Sequence, residues 1–164
     1  MVTVNFLFEH PHGAIGGWFS TRGLQRLTLT GPGARRTRFN LLHSAANDQR
    51  FWVLHNALKQ YFAGVVEHFA GIPIDLDGGT PFQRSVWQAT RKIPWGETLT
   101  YGELARRVKG SPNAARAVGQ AMNRNPIPIV IPCHRVVAVG GQLGGFGAGL
   151  PWKRLLLRTE GHDV

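Results

Sequence analysis

Three prolines within seven residues constrain the fold of this chain more than any other feature. Pro126, Pro128 and Pro132 lie in the apolar segment PIPIVIPCHRVV, residues 126–137. Proline fixes φ and has no amide donor, so the segment cannot form an ordinary central strand of a sheet. The prolines predict a stiff, extended segment that holds Cys133, the single cysteine of the chain, in a defined position.

The residues next to Cys133 can stabilise a thiolate. His134 and Arg135 follow it directly, and His134 can take the thiol proton either directly or through a water. Glu160 is the acid that would orient the imidazole, because an anion in the last turn of a predicted helix is unfavourable without a partner. His134 and Glu160 are therefore expected to lower the pKa of the thiol. A buried structural cysteine is the alternative, and the residues alone leave both open.

The basic charge is concentrated in the second half of the chain. Residues 1–80 carry seven basic and five acidic side chains, net +2, whereas residues 81–164 carry twelve and four, net +8. This pattern indicates a polyanionic partner, most simply nucleic acid, although a solvated basic surface explains it equally well. One cysteine excludes a disulfide-stapled fold, and no signal peptide or membrane-length apolar run is visible. We expect a cytoplasmic protein with no membrane partner.

The first half of the chain, residues 1–78, predicts a small β-sheet and one helix. Apolar runs alternate with glycines through residues 2–31, as in hairpins. GPGARRTRFN, residues 31–40, predicts a basic loop. Apolar residues at helical spacing then predict a helix that Asn47 or Asp48 caps and that ends near Gly64.

The second half, residues 79–164, predicts mainly helices. Thr80 and Thr100 are typical N-caps, and Glu103 completes a capping box with Thr100. Ser111 caps the next helix, so two short helices joined by the turn KGSP form a helix-turn-helix pattern. A last helix begins at Pro151, and its predicted inner stripe consists of Trp152, Leu155, Leu156 and Thr159.

The second helix of the helix-turn-helix pattern carries small side chains on most of its surface. These residues are Ala114, Ala115, Ala117, Gly119 and Ala121. Arg116 is the one long side chain among the alanines. Close packing against another helix explains this composition, and so does close approach to a nucleic-acid backbone with Arg116 projecting from the helix.

Several long segments resemble one known family. FQRSVWQATRKIPWGETLTYGELARRV, NAARAVGQAMNRNPIPIVIPCHRVV and KRLLLRTEG are similar, in order and nearly in spacing, to the DNA alkyltransferases that repair 6-O-alkylguanine (methylated-DNA–protein-cysteine methyltransferases). The resemblance is strong over residues 80–161 and only general over residues 1–78. It implies an α/β fold in which a small ribonuclease H-like sheet domain with a helix precedes a mainly helical, winged helix-turn-helix-like domain. The second domain would bind DNA and accept the alkyl group.

The resemblance implies roles for the residues that match the catalytic motif. Cys133 matches the nucleophile, and His134 and Glu160 match the partners that activate it through a bound water. Asn125 matches the asparagine that ties the recognition helix to the active-site segment. Tyr101 matches the tyrosine that assists nucleotide flipping and can protonate the leaving base.

The resemblance also implies DNA-binding and pocket residues. Arg116 matches the arginine that enters the duplex and replaces the flipped base, beside Tyr101. The small residues that let the recognition helix lie in the minor groove match Ala114, Ala115, Ala117 and Gly119. The substrate pocket matches Pro128, Val136 (whose carbonyl would contact the guanine edge), Phe146 and Gly147.

The expected reaction is a single, irreversible transfer of an alkyl group from guanine, or from 4-O-alkylthymine, to Cys133. It requires no cofactor and no metal, and the structural zinc of some relatives lacks its cysteines here. The expected partner is double-stranded DNA that contains alkylated guanine. The chain is expected to act as a monomer, with cooperative binding along DNA left open.

The sequence departs from the family pattern in one spacing and at two positions of the glycine-rich loop. The spacing from Tyr101 to Arg116 is one residue longer than in a relative, and Phe146 and Gly147 replace a tyrosine and a serine.

Other classes of function fit the sequence less well. A lesion-binding protein without catalysis would lack Cys133, and a helix-turn-helix regulator would not need a thiol relay. A cysteine hydrolase would need an oxyanion motif, which is not apparent. The glycine-rich loop GGQLGGFGAGLP lacks a P-loop ending, which excludes nucleotide phosphate binding.

Overall fold

The computed structural model describes residues 2–31, 39–41, 48–66 and 68–164. The chain divides into two compact units, Met1–Asp75 and Leu76–Val164. The division lies three residues before the boundary predicted near residue 78. The first unit carries most of the strands and the second carries most of the helices, so the predicted mixed α/β class is confirmed. No helix in the described ranges has the length and apolar character needed to cross a membrane.

The first unit is built on a three-stranded antiparallel sheet in the order β2-β3-β4. These strands span Phe6–His10, Gly13–Phe19 and Leu24–Leu29, and β1 (Val2–Val4) pairs in parallel with β5 (Phe39–Leu41). In the described residues of this unit there is one α-helix, α1 (Gln49–Phe62), and it packs against β2.

The ends of α1 follow from local residue chemistry. Asp48 caps the helix by accepting a hydrogen bond from the backbone of Arg50, and Gly64 takes the left-handed conformation just after it. Asn47, the other predicted cap, and the central part of the predicted basic loop (residues 32–38) lie outside the described residues.

The second unit contains four helices and one short parallel strand pair in its described residues. The helices are α2 (Pro81–Arg91), α3 (Tyr101–Lys109), α4 (Ala115–Asn123) and α5 (Leu150–Thr159), and β6 (Leu99–Thr100) pairs with β7 (Val136–Val137). The predicted caps of α2 and α3 are confirmed, and each is a complete capping box. The indole Nε1 of Trp87 donates to the carbonyl of Ala121 at 2.9 Å and thereby ties α2 to α4.

Two predicted helices differ in detail from the structure. Ser111 caps a 3₁₀ turn, Pro112–Ala114, and the α-helix begins only at Ala115 because the Ala115 amide bonds three residues back, to Pro112. On α5 the predicted inner stripe is confirmed for Trp152 and Leu156 and is wrong for its other two residues. The buried residues of α5 are Trp152, Lys153, Leu156 and Leu157, whereas Leu155 and Thr159 are only half-buried.

The proline-rich segment before Cys133 is folded rather than extended. The amide of Ile131 donates to the carbonyl of Ile127 at 2.9 Å, and Ile129 adopts a φ of 76°. A left-handed conformation at a β-branched residue reverses the chain and is costly, so the surrounding packing must enforce it. The prolines exclude a strand as predicted, but the tertiary environment selects a tight loop.

Candidate active site

Cys133 begins a 3₁₀ turn, Cys133–Arg135, directly after the proline-rich loop. Its amide donates to the carbonyl of Ile131 at 2.7 Å, and the side chain is nearly buried. Asn125, just beyond α4, closes the loop by donating from Nδ2 to the Ile131 carbonyl at 2.9 Å and accepting from the Ile127 amide at 3.0 Å. One side chain therefore links the end of α4 to the segment that carries the thiol.

His134 and Glu160 form a fully buried pair. His134 Nε2 lies 2.6 Å from Glu160 Oε1, and both side chains are 0 % exposed. A carboxylate can only accept, so Nε2 carries the hydrogen and Nδ1 is the basic nitrogen. Burial lowers the pKa of His134 even though Glu160 opposes it, and the resting imidazole is neutral at neutral pH.

Glu160 stays ionised because cationic and hydrogen-bonding partners surround it. Arg135 donates to it through Nε at 2.8 Å and Nη2 at 3.0 Å, and the Gly96 amide donates at 3.3 Å. Burial opposes ionisation, but the hydrogen bonds and charges of His134 and Arg135 outweigh it and lower the pKa of Glu160 from 4.5 to about 2. Arg135 was expected beside the thiolate; its guanidinium instead faces Glu160 and the carbonyl of Ile93.

The resting thiol of Cys133 is neutral. Burial raises its pKa from 9.0 to about 11, and the Asn125 hydrogen bond and the charge of Lys153 only partly oppose this. The expectation that His134 and Glu160 give a low thiol pKa is wrong for this resting state, because desolvation penalises the thiolate more than its neighbours stabilise it. Formation of the thiolate would therefore require transfer of the proton to a nearby base.

Lys153 is a buried cation that the sequence reasoning missed. It is 0 % exposed, and Nζ donates to the carbonyls of Val136 at 2.7 Å and Gly145 at 3.3 Å. Burial lowers its pKa from 10.5 to about 8, with the thiolate of Cys133 acting in the opposite direction. Lys153 and Leu156 lie on the same buried face of α5, and Glu160 follows at helical spacing just beyond its end. Lys153 lies outside the predicted apolar stripe, so the sequence pattern gave no signal of its burial.

Tyr101, the first residue of α3, lies between two glycines. A Cβ at Gly119 would sit 3.9 Å from the ring, and one at Gly144 would sit 3.2 Å from its Cε2 and hydroxyl. Burial raises the pKa of Tyr101, and the nearby charge of Cys133 adds to this. The phenol is therefore protonated and can donate a hydrogen near the thiol.

The described residues show no site for a metal ion. No group of three or more His, Cys, Asp or Glu side chains with suitable geometry occurs among them.

Comparison with known proteins identifies the family of this site. Residues 81–162 match the family model described as "6-O-methylguanine DNA methyltransferase, DNA binding domain". A methylated-DNA–protein-cysteine methyltransferase of Mycobacterium leprae is 46% identical over 147 residues, covering 84% of this chain and 87% of its own. One from Methanosarcina acetivorans is 48% identical over 115 residues, covering 70% and 72%. The crystal structure of the Mycobacterium tuberculosis O6-methylguanine methyltransferase superposes with a TM-score of 0.78 at 38% identity, covering 96% and 92%.

The chain belongs to the methylated-DNA–protein-cysteine methyltransferase family. The resemblance stated from the sequence is thus confirmed, and the matches extend beyond residues 80–161 into the first unit. In this methyltransferase Asn125 and Tyr101 act on Cys133, and the adjacent His134 pairs with Glu160, so the predicted residues come from four separate segments of the second unit.

The recognition-helix residues divide into a packed and an open set. Ala121 is buried against α2, so close packing explains that small residue. Arg116 and Ala117 are exposed, and Ala114, Ala115 and Gly119 are half-buried. The open set leaves one face of the 3₁₀ turn and α4 accessible to a partner.

Most of the predicted pocket residues lie on the two loops that flank the thiol. Pro128 is half-buried in the loop before Cys133, and Phe146 and Gly147 are half-buried and exposed, respectively, in the glycine-rich loop. Val136, in β7, is fully buried, and its carbonyl accepts a hydrogen bond from Lys153.

Proposed function

We propose that this methyltransferase repairs DNA by direct reversal, transferring the alkyl group of 6-O-alkylguanine in double-stranded DNA to Sγ of Cys133. The observation that carries this proposal is the single cysteine next to a buried His134–Glu160 pair joined at 2.6 Å. A Mycobacterium tuberculosis relative has been crystallised in complex with DNA, at a TM-score of 0.78 and 38% identity over 94% of this chain and 90% of its own. The net charge of +8 in residues 81–164 supports the same partner.

The resting protonation states suggest the order of events. With the thiol and imidazole both neutral, His134 Nδ1 accepts the thiol proton, directly or through a water, as the reaction begins. The resulting imidazolium is stabilised by the ionised Glu160. The sulfur then forms a bond to the alkyl carbon as the carbon–oxygen bond breaks, and guanine leaves as an anion.

The leaving guanine requires a proton, and Tyr101 is the donor that we propose. Its phenol is protonated and lies near Cys133.

The target oxygen is hidden in the duplex, so the nucleotide has to rotate out of the base stack. The proposed function of Arg116 is to fill the gap that the nucleotide leaves. A thioether is a poor leaving group, so each molecule acts once. Because DNA is the substrate, we propose that the protein works in the cytoplasm and is associated with the nucleoid if its source is a prokaryote.

Intact-mass spectrometry after mixing with a methylated duplex tests the proposal. We expect one added methyl group per chain, located on the peptide that contains Cys133, and no further turnover. Cys133→Ala should bind the duplex with the same salt dependence and gain no mass. Repeated turnover by unmodified protein, or methylation at another residue, would contradict the proposal.

A further inference from the structure

Glu160 accepts more hydrogen bonds than its pairing with His134 requires. Oε1 accepts from His134 Nε2 at 2.6 Å and from Arg135 Nη2 at 3.0 Å. Oε2 accepts from Arg135 Nε at 2.8 Å and from the Gly96 amide at 3.3 Å. Because the guanidinium donates to both oxygens in a bidentate, fork-like pair, it fixes the plane of the carboxylate independently of the imidazole.

Arg135 is held in place at its other end. Nη1 donates to the carbonyl of Ile93, beyond the end of α2, and the side chain is only 5 % exposed. The guanidinium thus connects the segment after α2 with the end of α5. Its known bonds go to Ile93 and Glu160 and not to the thiol, so it acts on the reaction through Glu160.

The charged groups near His134 act on its pKa in opposite directions. Glu160 favours the protonated imidazole, whereas Arg135 and Lys153 disfavour it. Cys133 lies on the same turn, and Tyr101 at the start of α3 acts on Cys133. A buried carboxylate alone would draw a proton onto His134, and an imidazolium cannot accept the proton of the thiol.

We propose that Arg135 acts together with burial to keep His134 neutral and so helps to set the pH range over which Cys133 can be activated, an inference that rests on the proposed function. The guanidinium offsets the charge of Glu160, and its fork prevents the carboxylate from turning away from Nε2. Arg135 is therefore a positioning residue. It limits the strength of the base so that the base is available near neutral pH.

The test is the pH dependence of alkyl transfer from free O6-benzylguanine, which needs no nucleotide flipping. Arg135→Met should lose about fivefold or more of the rate near pH 6 and less than about twofold near pH 9. Arg135→Lys keeps the charge without the fork and should show a smaller loss on the acid side. Arg154→Met, which removes an exposed cation from α5, should follow the wild type. An equal loss at every pH would indicate a purely structural role and overturn the inference.

A second measurement separates this inference from the proposed function. NMR titration of the His134 imidazole requires no activity, and Arg135→Lys retains the buried cation if Arg135→Met fails to fold. His134 should bind its proton at higher pH in Arg135→Met than in the wild type, and Arg135→Lys, which keeps the charge, should show a smaller shift. An unchanged titration would refute the role of Arg135, whereas a wild type that transfers no alkyl group from methylated duplex would refute the proposed function instead.

Discussion

Replacing Lys153 with methionine should change how the stability of the protein depends on pH. The ammonium is buried against two carbonyls and makes no ion pair with a carboxylate in the described part of the chain. Burial lowers its pKa from 10.5 to about 8. At about 1.4 kcal/mol per pH unit, a fall of this size corresponds to about 3 kcal/mol.

The direction of this pH dependence follows from the number of protons that the folded and unfolded states bind. In the unfolded chain Lys153 keeps its proton up to its ordinary pKa of 10.5, whereas in the folded protein it releases the proton above about 8. The unfolded state binds more protons across this window, so the contribution of Lys153 to the free energy of unfolding rises with pH there. Below the window the folded protein bears the full cost of the buried charge. Methionine does not titrate, and the carbonyls that it leaves unpaired at Val136 and Gly145 cost the same at every pH.

The assay is urea denaturation followed by tryptophan fluorescence. Between pH 7 and about pH 10, the stability of the wild type relative to Lys153→Met should rise by about 2.5 kcal/mol, which is most of the full effect. Arg154→Met is the matched control, because Arg154 is the exposed neighbour on the same helix and its difference from the wild type should stay constant. A difference for Lys153→Met that is constant across this range would show that the ammonium is not desolvated, and the reasoning would fail.

The same variant should also make the thiol of Cys133 less reactive, because Lys153 stabilises the thiolate.

Two further variants test the surroundings of the thiol. Arg116→Ala should lose alkyl transfer from methylated duplex far more than transfer from free O6-benzylguanine, because only the duplex requires flipping; an equal loss on both would assign Arg116 to the fold or the pocket. Gly144→Ala should slow transfer, because its Cβ would press on Tyr101 at 3.2 Å and its φ is 66°. Gly140→Ala shares the left-handed backbone, with a φ of 78° and open space at its Cβ, so it controls for strain alone. Equal rates in the two glycine variants would remove the Tyr101 contact from the explanation.

Features that depend on residues a few positions apart could be predicted from the sequence. Thr100 and Glu103 form their capping box because the donors and acceptors lie within one turn of helix. The prolines around Cys133 exclude a central strand wherever the segment lies, since each lacks an amide donor. The motif that carries Cys133 and His134, together with the other matching segments over residues 80–161, indicated the family, because the order and spacing of these segments are properties of the sequence itself.

Properties that depend on distant residues and on burial were decided only by the tertiary structure. Glu160 is 25 residues from Arg135 and 64 from Gly96, and no local pattern predicts that all of its acceptor positions are taken. The loop at Ile129 takes a strained conformation that only surrounding contacts can enforce. The raised pKa of Cys133 and the lowered pKa of Lys153 both arise first from desolvation. Desolvation depends on how much of the whole unit packs around a group. Sequence neighbours can therefore indicate which residue is the nucleophile, but they do not determine its protonation state.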